Sequence, residues 1–183
     1  DFGGVLAPTV AWSILTHGLP TLPLRMKRQQ ESALRVAEFL TDHEKVARVS
    51  YPGLHTAAGY EIARRQMVDY DGNFAPGSML YFELAGDAEE ARARARRFCD
   101  HVAAHAYTIT LAVSLGQIRT LVESPGLMTH SALPAEEQQR TGIAPGGGRG
   151  LLLVLSATRR GTPYVGTVVF RGRTWPVRCY WDE

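Results

Sequence analysis

Lysine and cysteine are scarce in this 183-residue chain. Its lysines are Lys27 and Lys45, and its cysteines are Cys99 and Cys179. The two cysteines do not have the spacing of metal ligands, so we expect no metal site and two reduced thiols in a cytoplasmic protein. A disulfide between them stays open as an alternative.

Long hydrophobic runs are also missing. No stretch approaches the roughly 20 apolar residues that cross a bilayer, and no basic start precedes an apolar segment at the N-terminus. We therefore expect no membrane association. Apolar and charged fractions of 45% and 21% are typical of a globular domain that buries a core. The start at Asp1 rather than Met favours a fragment or a trimmed chain.

The positive net charge of +2 is confined to the end of the chain. From Gly148 onward six arginines stand against Asp182 and Glu183, a net of +4, which leaves −2 for residues 1–147. Four further arginines between residues 92 and 97 lie beside acidic residues on one predicted helix face, as in a solvated surface. These patterns predict no nucleic-acid partner.

Hydrophobic periodicity predicts alternating helices and strands. Helices are expected over residues 8–17, from Thr21 to Leu40, and over 60–68, 88–102 and 134–140. Strands are expected over 46–51, 79–84, 107–113 and 151–155, and residues 164–170 and 174–180 have the character of a hairpin. The predicted fold is α+β in two layers: an antiparallel-rich sheet of about four strands, covered by helices on one side and preceded by a long N-terminal connecting helix.

Several short motifs occur in a characteristic order. They are Tyr51-Pro52-Gly53-Leu54, Ala112-Val113-Ser114-Leu115-Gly116, Met128-Thr129-His130-Ser131 and Thr141-Gly142-Ile143. In order and separation they resemble the pyridoxal-phosphate-dependent enzymes of cysteine and methionine metabolism, the group of cystathionine γ-lyase, methionine γ-lyase and O-acetylhomoserine sulfhydrylase. The resemblance extends from about Gly4 to Gly147 and concerns the C-terminal domain of those enzymes.

The resemblance implies a fold, a cofactor and partners. The fold is that of the small C-terminal domain of fold-type I pyridoxal-phosphate enzymes, and the cofactor of the parent enzyme is pyridoxal phosphate. The implied partners are an amino-acid substrate, a missing large cofactor domain and further copies of the same chain, as a tetramer. The implied reactions are γ- or β-elimination or replacement on derivatives of cysteine, methionine or homoserine.

Four residues are implied by the resemblance to bind substrate. Arg149 stands where the family has an arginine that grips the substrate carboxylate, and a planar guanidinium suits that task because it offers two parallel hydrogen bonds. Ser114 matches a serine that helps to fix the same carboxylate, and Thr129 matches a threonine that lines the pocket. Val113 is apolar where cystathionine-using members are commonly acidic, which favours a methionine γ-lyase-like or sulfhydrylase-like parent. The alternatives are a turn for Ser114, a cap for Thr129 and an exposed position for Arg149.

The sequence predicts no catalytic residue in this chain. These enzymes need a lysine that forms a Schiff base with the cofactor, and neither Lys27 nor Lys45 stands in a suitable setting. The segment from Leu155 to Arg159 resembles the Schiff-base motif with arginine in place of lysine, but arginine stays protonated and we interpret the likeness as coincidence. We expect the isolated chain to be inactive. The alternative is a non-catalytic assembly or regulatory module that retains the family fold.

We divide the chain into three parts. Residues 1–41 are predicted to form connecting helices, 42–147 the C-terminal substrate-side domain, and 148–183 an atypical tail without the family's closing helix. Our hypothesis is that a frameshift near Gly147 produced the tail. A genuine replacement that adds strands is the alternative.

Overall fold

The computed structural model describes residues 6–106, 108–113, 119–143 and 149–155, together with the backbone of strands 164–170 and 173–179. The helices are α1 (Pro8–Ser13), α2 (Leu19–Thr41), α3 (Tyr60–Gln66), α4 (Ala88–His105) and α5 (Ala135–Arg140). The strands are β1 (Val46–Ser50), β2 (Met79–Leu84), β3 (Ile109–Leu111), β4 (Thr120–Glu123), β5 (Gly150–Val154), β6 (Tyr164–Phe170) and β7 (Arg173–Cys179).

Five strands form one sheet in the order β1-β2-β5-β4-β3, and β6 pairs with β7 in a separate hairpin. Every pair in the sheet is antiparallel except β3 with β4, which is parallel. The prediction of mixed helix and antiparallel-rich sheet is confirmed, but the described sheet has five strands rather than about four. The strand that the sequence did not reveal is β4, whose four residues are all buried and therefore lack the alternation typical of a half-exposed strand.

The core lies between the sheet and the two longest helices. Ala33 and Ala37 on α2 and Ala95 on α4 are fully buried, and they belong to the same cluster as Phe82 and Leu151 of the sheet. Small side chains let both helices approach the strands closely. Burial of each large apolar side chain contributes about 1.5–3 kcal/mol relative to exposure.

The beginning of the chain differs from the prediction of two separate helices, one over residues 8–17 and one from Thr21. A π-helical turn, Ile14–Gly18, joins α1 directly to α2. Gly18 keeps right-handed helical angles, and the Thr21 hydroxyl donates to the His17 carbonyl at 2.8 Å. Pro20 is the second residue of α2 and has no N–H to donate to the preceding π-helical turn.

The predicted strand near residues 151–155 is confirmed as β5. It follows residue 147 and nevertheless lies at the centre of the sheet, between β2 and β4. The division of the chain at residue 147 stays a prediction. Within the described residues, no helix combines the length and the apolarity that crossing a membrane requires.

Candidate functional site

Strand direction brings the candidate residues to one end of the sheet. Because β5 is antiparallel to both β2 and β4, and β3 is parallel to β4, the carboxyl ends of β2, β3 and β4 meet the amino end of β5. Val113 follows β3, the turn that contains Thr129 follows β4, and Arg149 immediately precedes β5. Three predicted site residues therefore lie on segments at the same end. Ser114 lies outside the described residues.

A buried carboxylate lies at this end of β2. The side chain of Glu83 is only 7% exposed and lies between two arginines. Arg48 on β1, its register partner, donates from Nε to Glu83 Oε1 at 3.1 Å, while Arg149 Nη2 lies 3.3 Å from Glu83 Oε2. The hydrogen bond to Glu83 raises the pKa of Arg48 above its usual value. This Arg–Glu–Arg cluster, composed of Arg48, Glu83 and Arg149, has a net charge of +1.

Both the backbone and the guanidinium of Arg149 interact with β2. Its carbonyl accepts a hydrogen bond from the Leu84 N–H at 3.1 Å, which continues the pairing between β2 and β5. Its Nε is buried and has no hydrogen-bond partner. A guanidinium carries five N–H donors, so the ion pair with Glu83 leaves donors for a ligand. The Arg149 side chain is 28% accessible, so Arg149 is half-buried and is not simply an exposed basic residue.

Tyr81 covers the start of β5 on the same face of the sheet as Glu83. A Cβ added at Gly150 would collide with the Tyr81 ring, so glycine is needed for this close approach. The Arg48 guanidinium carbon lies 5.7 Å from the centre of the Tyr81 ring, within range of a cation–π interaction. Sequence reasoning missed Arg48, Tyr81 and Glu83, because the register that unites them is not encoded locally.

Val113 borders a shallow depression on the sheet. Leu152, Val154 and Glu123 also line it. Glu123 is 8% exposed, and its Oε2 has no hydrogen-bond partner. In the sequence, Glu123 is an acidic residue at the end of a short apolar run. Because that run was not predicted to be a strand, Glu123 was not recognised as a candidate site residue.

Thr129 lies in the turn between β4 and α5 and is exposed. Its hydroxyl forms a hydrogen bond with His130 Nδ1 at 2.9 Å. Gln138 of α5 stabilises the turn, since its side-chain amide donates hydrogen bonds to the carbonyls of His130 and Leu133 at 2.9 and 3.1 Å. The turn thus has a fixed path between β4 and α5.

The Tyr-Pro-Gly-Leu motif has a structural role in the fold. Tyr51 is 1% exposed, and its hydroxyl donates to the Gly77 carbonyl at 2.9 Å. Burial raises the pKa of Tyr51 to about 12, so the phenol stays protonated across the physiological range.

The two lysines do not suit a Schiff base. Lys27 is exposed on α2, and Lys45 Nζ lies 3.6 Å from the carboxylate of Glu44, which is 82% exposed. A Schiff-base lysine needs desolvated surroundings that give the substrate access, and neither side chain has them.

Known proteins similar to this chain include enzymes of sulfur amino-acid metabolism. L-methionine gamma-lyase of Fusobacterium nucleatum subsp. polymorphum is 40% identical over 146 residues, which are 79% of this chain and 33% of that protein. Cystathionine beta-lyase of Coxiella burnetii is 37% identical over 144 residues, with the same two shares. The chain thus spans about a third of the length of the curated relatives it matches.

Solved structures with this fold include enzymes of the same group. The putative O-acetylhomoserine (thiol)-lyase of Campylobacter jejuni, which carries a pyridoxyl-lysine monophosphate, has a TM-score of 0.68 and 34% identity over 87% of this chain and 34% of its own. Cystathionine gamma synthase of Xanthomonas oryzae pv. oryzae, in complex with aminoacrylate and cysteine, has a TM-score of 0.61 and 37% identity over 78% and 32%. Residues 1–147 match the family model described as Cys/Met metabolism PLP-dependent enzyme. With this match over most of its length, the chain belongs to the pyridoxal-phosphate-dependent enzyme family of cysteine and methionine metabolism.

Proposed function

We propose that this chain is the C-terminal, substrate-side part of a pyridoxal-phosphate-dependent enzyme that performs γ- or β-elimination or replacement on derivatives of cysteine, methionine or homoserine. The observation that supports the proposal is that Arg149, Val113 and the turn with Thr129 lie on segments that adjoin the same end of the sheet. The remainder of the whole protein would supply the cofactor lysine. The whole enzyme would work in the cytoplasm as a homotetramer.

Arg149 would bind the substrate carboxylate. Its buried Nε lacks an acceptor, and an unmet buried donor costs about 1–3 kcal/mol, which a ligand carboxylate would recover. Glu83 would hold the other edge of the guanidinium in place. Ser114, directly after Val113 in the sequence, and Thr129 would complete the polar contacts around the substrate.

Val113 would face the side chain of the substrate. Together with Leu152 and Val154 it lines an apolar part of the depression, whose volume of about 10 Å³ offers a thioether such as that of methionine a surface contact and not an enclosing pocket. This arrangement supports a methionine γ-lyase-like or sulfhydrylase-like specificity. Glu123 lines the same depression, and its carboxylate would attract an ammonium group. Cystathionine has a second ammonium group and methionine does not, so cystathionine is the substrate to compare with methionine.

Isothermal titration of the chain with L-methionine tests the role of Arg149. We expect weak binding that is lost with methioninol, which lacks the carboxylate, and in Arg149→Ala. Arg140→Ala is the matched control, because Arg140 is 77% exposed and forms an ion pair with Glu137 of its own helix. Equal binding of methionine by Arg149→Ala and by the unaltered chain would contradict the assignment.

The absence of activity in the isolated chain is a separate expectation. After incubation with pyridoxal phosphate and dialysis, we expect no visible absorption from bound cofactor and no release of keto acid from L-methionine. Measured turnover would show that a lysine of this chain does serve the cofactor.

The second candidate is a non-catalytic assembly module. It is favoured by exposed apolar side chains on the N-terminal helices, with Trp12 68%, Leu15 62% and Leu24 71% exposed. Sedimentation of the chain distinguishes the two candidates: a stable oligomer that does not bind amino acids would favour the module, and amino-acid binding would favour the enzyme part.

A frameshift near residue 147 stays a separate hypothesis for the atypical tail of residues 148–183, and it is an alternative to a functional Arg149, because Arg149 would then stand in the shifted frame. The end of the family match at residue 147 supports it. Sequencing of the source DNA through this codon, with translation of all frames, tests it. A family-like closing helix in another frame would support the hypothesis, and its absence would favour a genuine replacement.

A further inference from the structure

The last turns of α4 carry two histidines whose rings lie side by side. His101 and His105 are four residues apart, so they project from the same face of the helix. Their ring centroids are 4.8 Å apart and their planes are inclined by 46°. His101 is half-buried and His105 is exposed, so both side chains are accessible to solvent.

This spacing suits two ligands of one metal ion. Two histidines four residues apart on a helix are the pattern with which helices hold zinc. A metal–nitrogen bond of 2.0–2.1 Å places two ligating ring nitrogens about 3 Å from each other. Rings with centroids 4.8 Å apart reach that separation by small side-chain rotations.

The helix end also favours a cation electrostatically. α4 ends at His105, and the last carbonyls of a helix carry the negative end of its dipole. The charged neighbours on the helix are Asp100, which precedes the pair, and Arg97, one turn before His101. Both are exposed, so solvent screens their opposite effects.

The other four histidines have individual contacts instead. His17 and His130 form hydrogen bonds with the threonines that precede them, at 2.7 and 2.9 Å. His43 Nδ1 accepts a hydrogen bond from the Lys45 N–H at 3.1 Å, and the His55 ring meets the edge of an aromatic ring. His101 and His105 thus differ from the other four histidines in that their rings contact each other.

We propose that His101 and His105 bind one divalent transition-metal ion, of the class of Ni²⁺ or Zn²⁺, in a site separate from the proposed substrate site. Imidazole is a preferred ligand of these ions. In the described ranges no three His, Cys, Asp or Glu side chains are arranged to hold a metal, so water would complete the coordination. Binding is therefore readily reversible and leaves positions open for an outside ligand.

Titration calorimetry with NiCl₂ and ZnSO₄, on the chain without a histidine tag, tests this site. We expect one ion per chain and a higher midpoint of thermal unfolding, because the pair is assembled only in the folded helix. His101→Gln and His105→Gln should each weaken binding by about tenfold or more, since each leaves a single ligand. His43→Gln is the matched control and should bind as the unaltered chain does.

A relocated pair separates chelation from damage to the fold. Arg97 is exposed and stands four residues before His101, so Arg97→His in the His105→Gln background recreates the same spacing one turn earlier. We expect this double variant to regain the affinity lost in His105→Gln. The site is refuted if His101→Gln and His105→Gln bind as tightly as the unaltered chain, or if the stoichiometry follows all six histidines.

Discussion

Arg149 Nη2 lies 3.3 Å from Glu83 Oε2, and this ion pair ties the start of β5 to the end of β2. Glu83 also accepts from Arg48, so one buried carboxylate of β2 binds two side chains, one from β1 and one from the residue before β5. Because a buried charge is costly without partners, the pairing makes the position of Arg149 depend on Glu83.

Replacement of this carboxylate should destabilise the fold. Glu83→Gln keeps the shape but removes the charge that two arginines share, and we expect a loss of about 1–3 kcal/mol in the free energy of unfolding. Urea denaturation of the chain measures it. Glu44→Gln is the control, because Glu44 is 82% exposed and its ion pair with Lys45 should contribute less than about 1 kcal/mol. Equal losses in both variants would contradict a special role for Glu83.

Two glycines should respond in opposite directions to alanine. Gly150→Ala places a methyl group against the Tyr81 ring, and we expect it to cost about 1–3 kcal/mol through overpacking. Gly18→Ala adds a methyl group at right-handed helical angles, where the nearest contact is at 3.9 Å, and should stabilise by up to about 1 kcal/mol. The midpoints of thermal unfolding of the two variants and of the unaltered chain test both expectations.

A rescue variant tests the reason for the first effect. Tyr81→Ala removes the ring that collides with the methyl group of Gly150→Ala. The loss in free energy of unfolding caused by Tyr81→Ala should therefore be smaller in the Gly150→Ala background than in the unaltered chain. Strictly additive losses would mean that the ring does not oppose the methyl group.

Features set by near neighbours could be predicted from the sequence. Asp87, of a residue type favoured at helix N-caps, precedes the helix predicted from residue 88, and its Oδ1 accepts from the Glu90 N–H at 2.8 Å. The predicted bounds of β2 are those observed, since apolar residues alternate along it with the mixed set of Met79, Tyr81 and Glu83. In both cases the controlling interactions lie within a few residues.

The partners of the candidate site residues could not be predicted in the same way. Arg48 and Glu83 are 35 residues apart, and only the register of β1 on β2 makes them adjacent. The resemblance to the family pointed to Arg149 without revealing that Glu83 binds it. Long-range register thus decides the electrostatics of this site.

Cys99 should react slowly in the folded chain. It is a free, buried thiol, and burial raises its pKa from 9.0 to about 11. The thiolate is the reactive form, so at pH 8 its smaller fraction alone should slow alkylation about 100-fold relative to the chain in urea. Iodoacetamide labelling read by mass spectrometry in Cys179→Ser isolates this thiol. A rate equal to that in urea would show that Cys99 is not enclosed.

Asp69 should make stability depend on acid pH. Its carboxylate accepts the backbone N–H groups of Asn73 and Asp71 at 2.8 and 2.9 Å, and the bond from Asn73 contributes most to lowering its pKa below the usual 3.8. Because the folded-state pKa is the lower one, the stabilisation is complete above pH 3.8 and is lost as the pH falls through the folded-state value.

Asp69→Ala measures this stabilisation directly. At neutral pH the variant should unfold at a lower urea concentration than the unaltered chain, since two backbone donors lose a charged acceptor. Below pH 3.8 the difference should shrink, because protonation weakens the same acceptor in the unaltered chain. Asp71→Ala is the control, as it removes a neighbouring charge but leaves the Asp69 carboxylate and the peptide donors in place. A difference between Asp69→Ala and the unaltered chain that stays constant from pH 7 to pH 3 would mean that the loop depends on the size of the side chain and not on its charge.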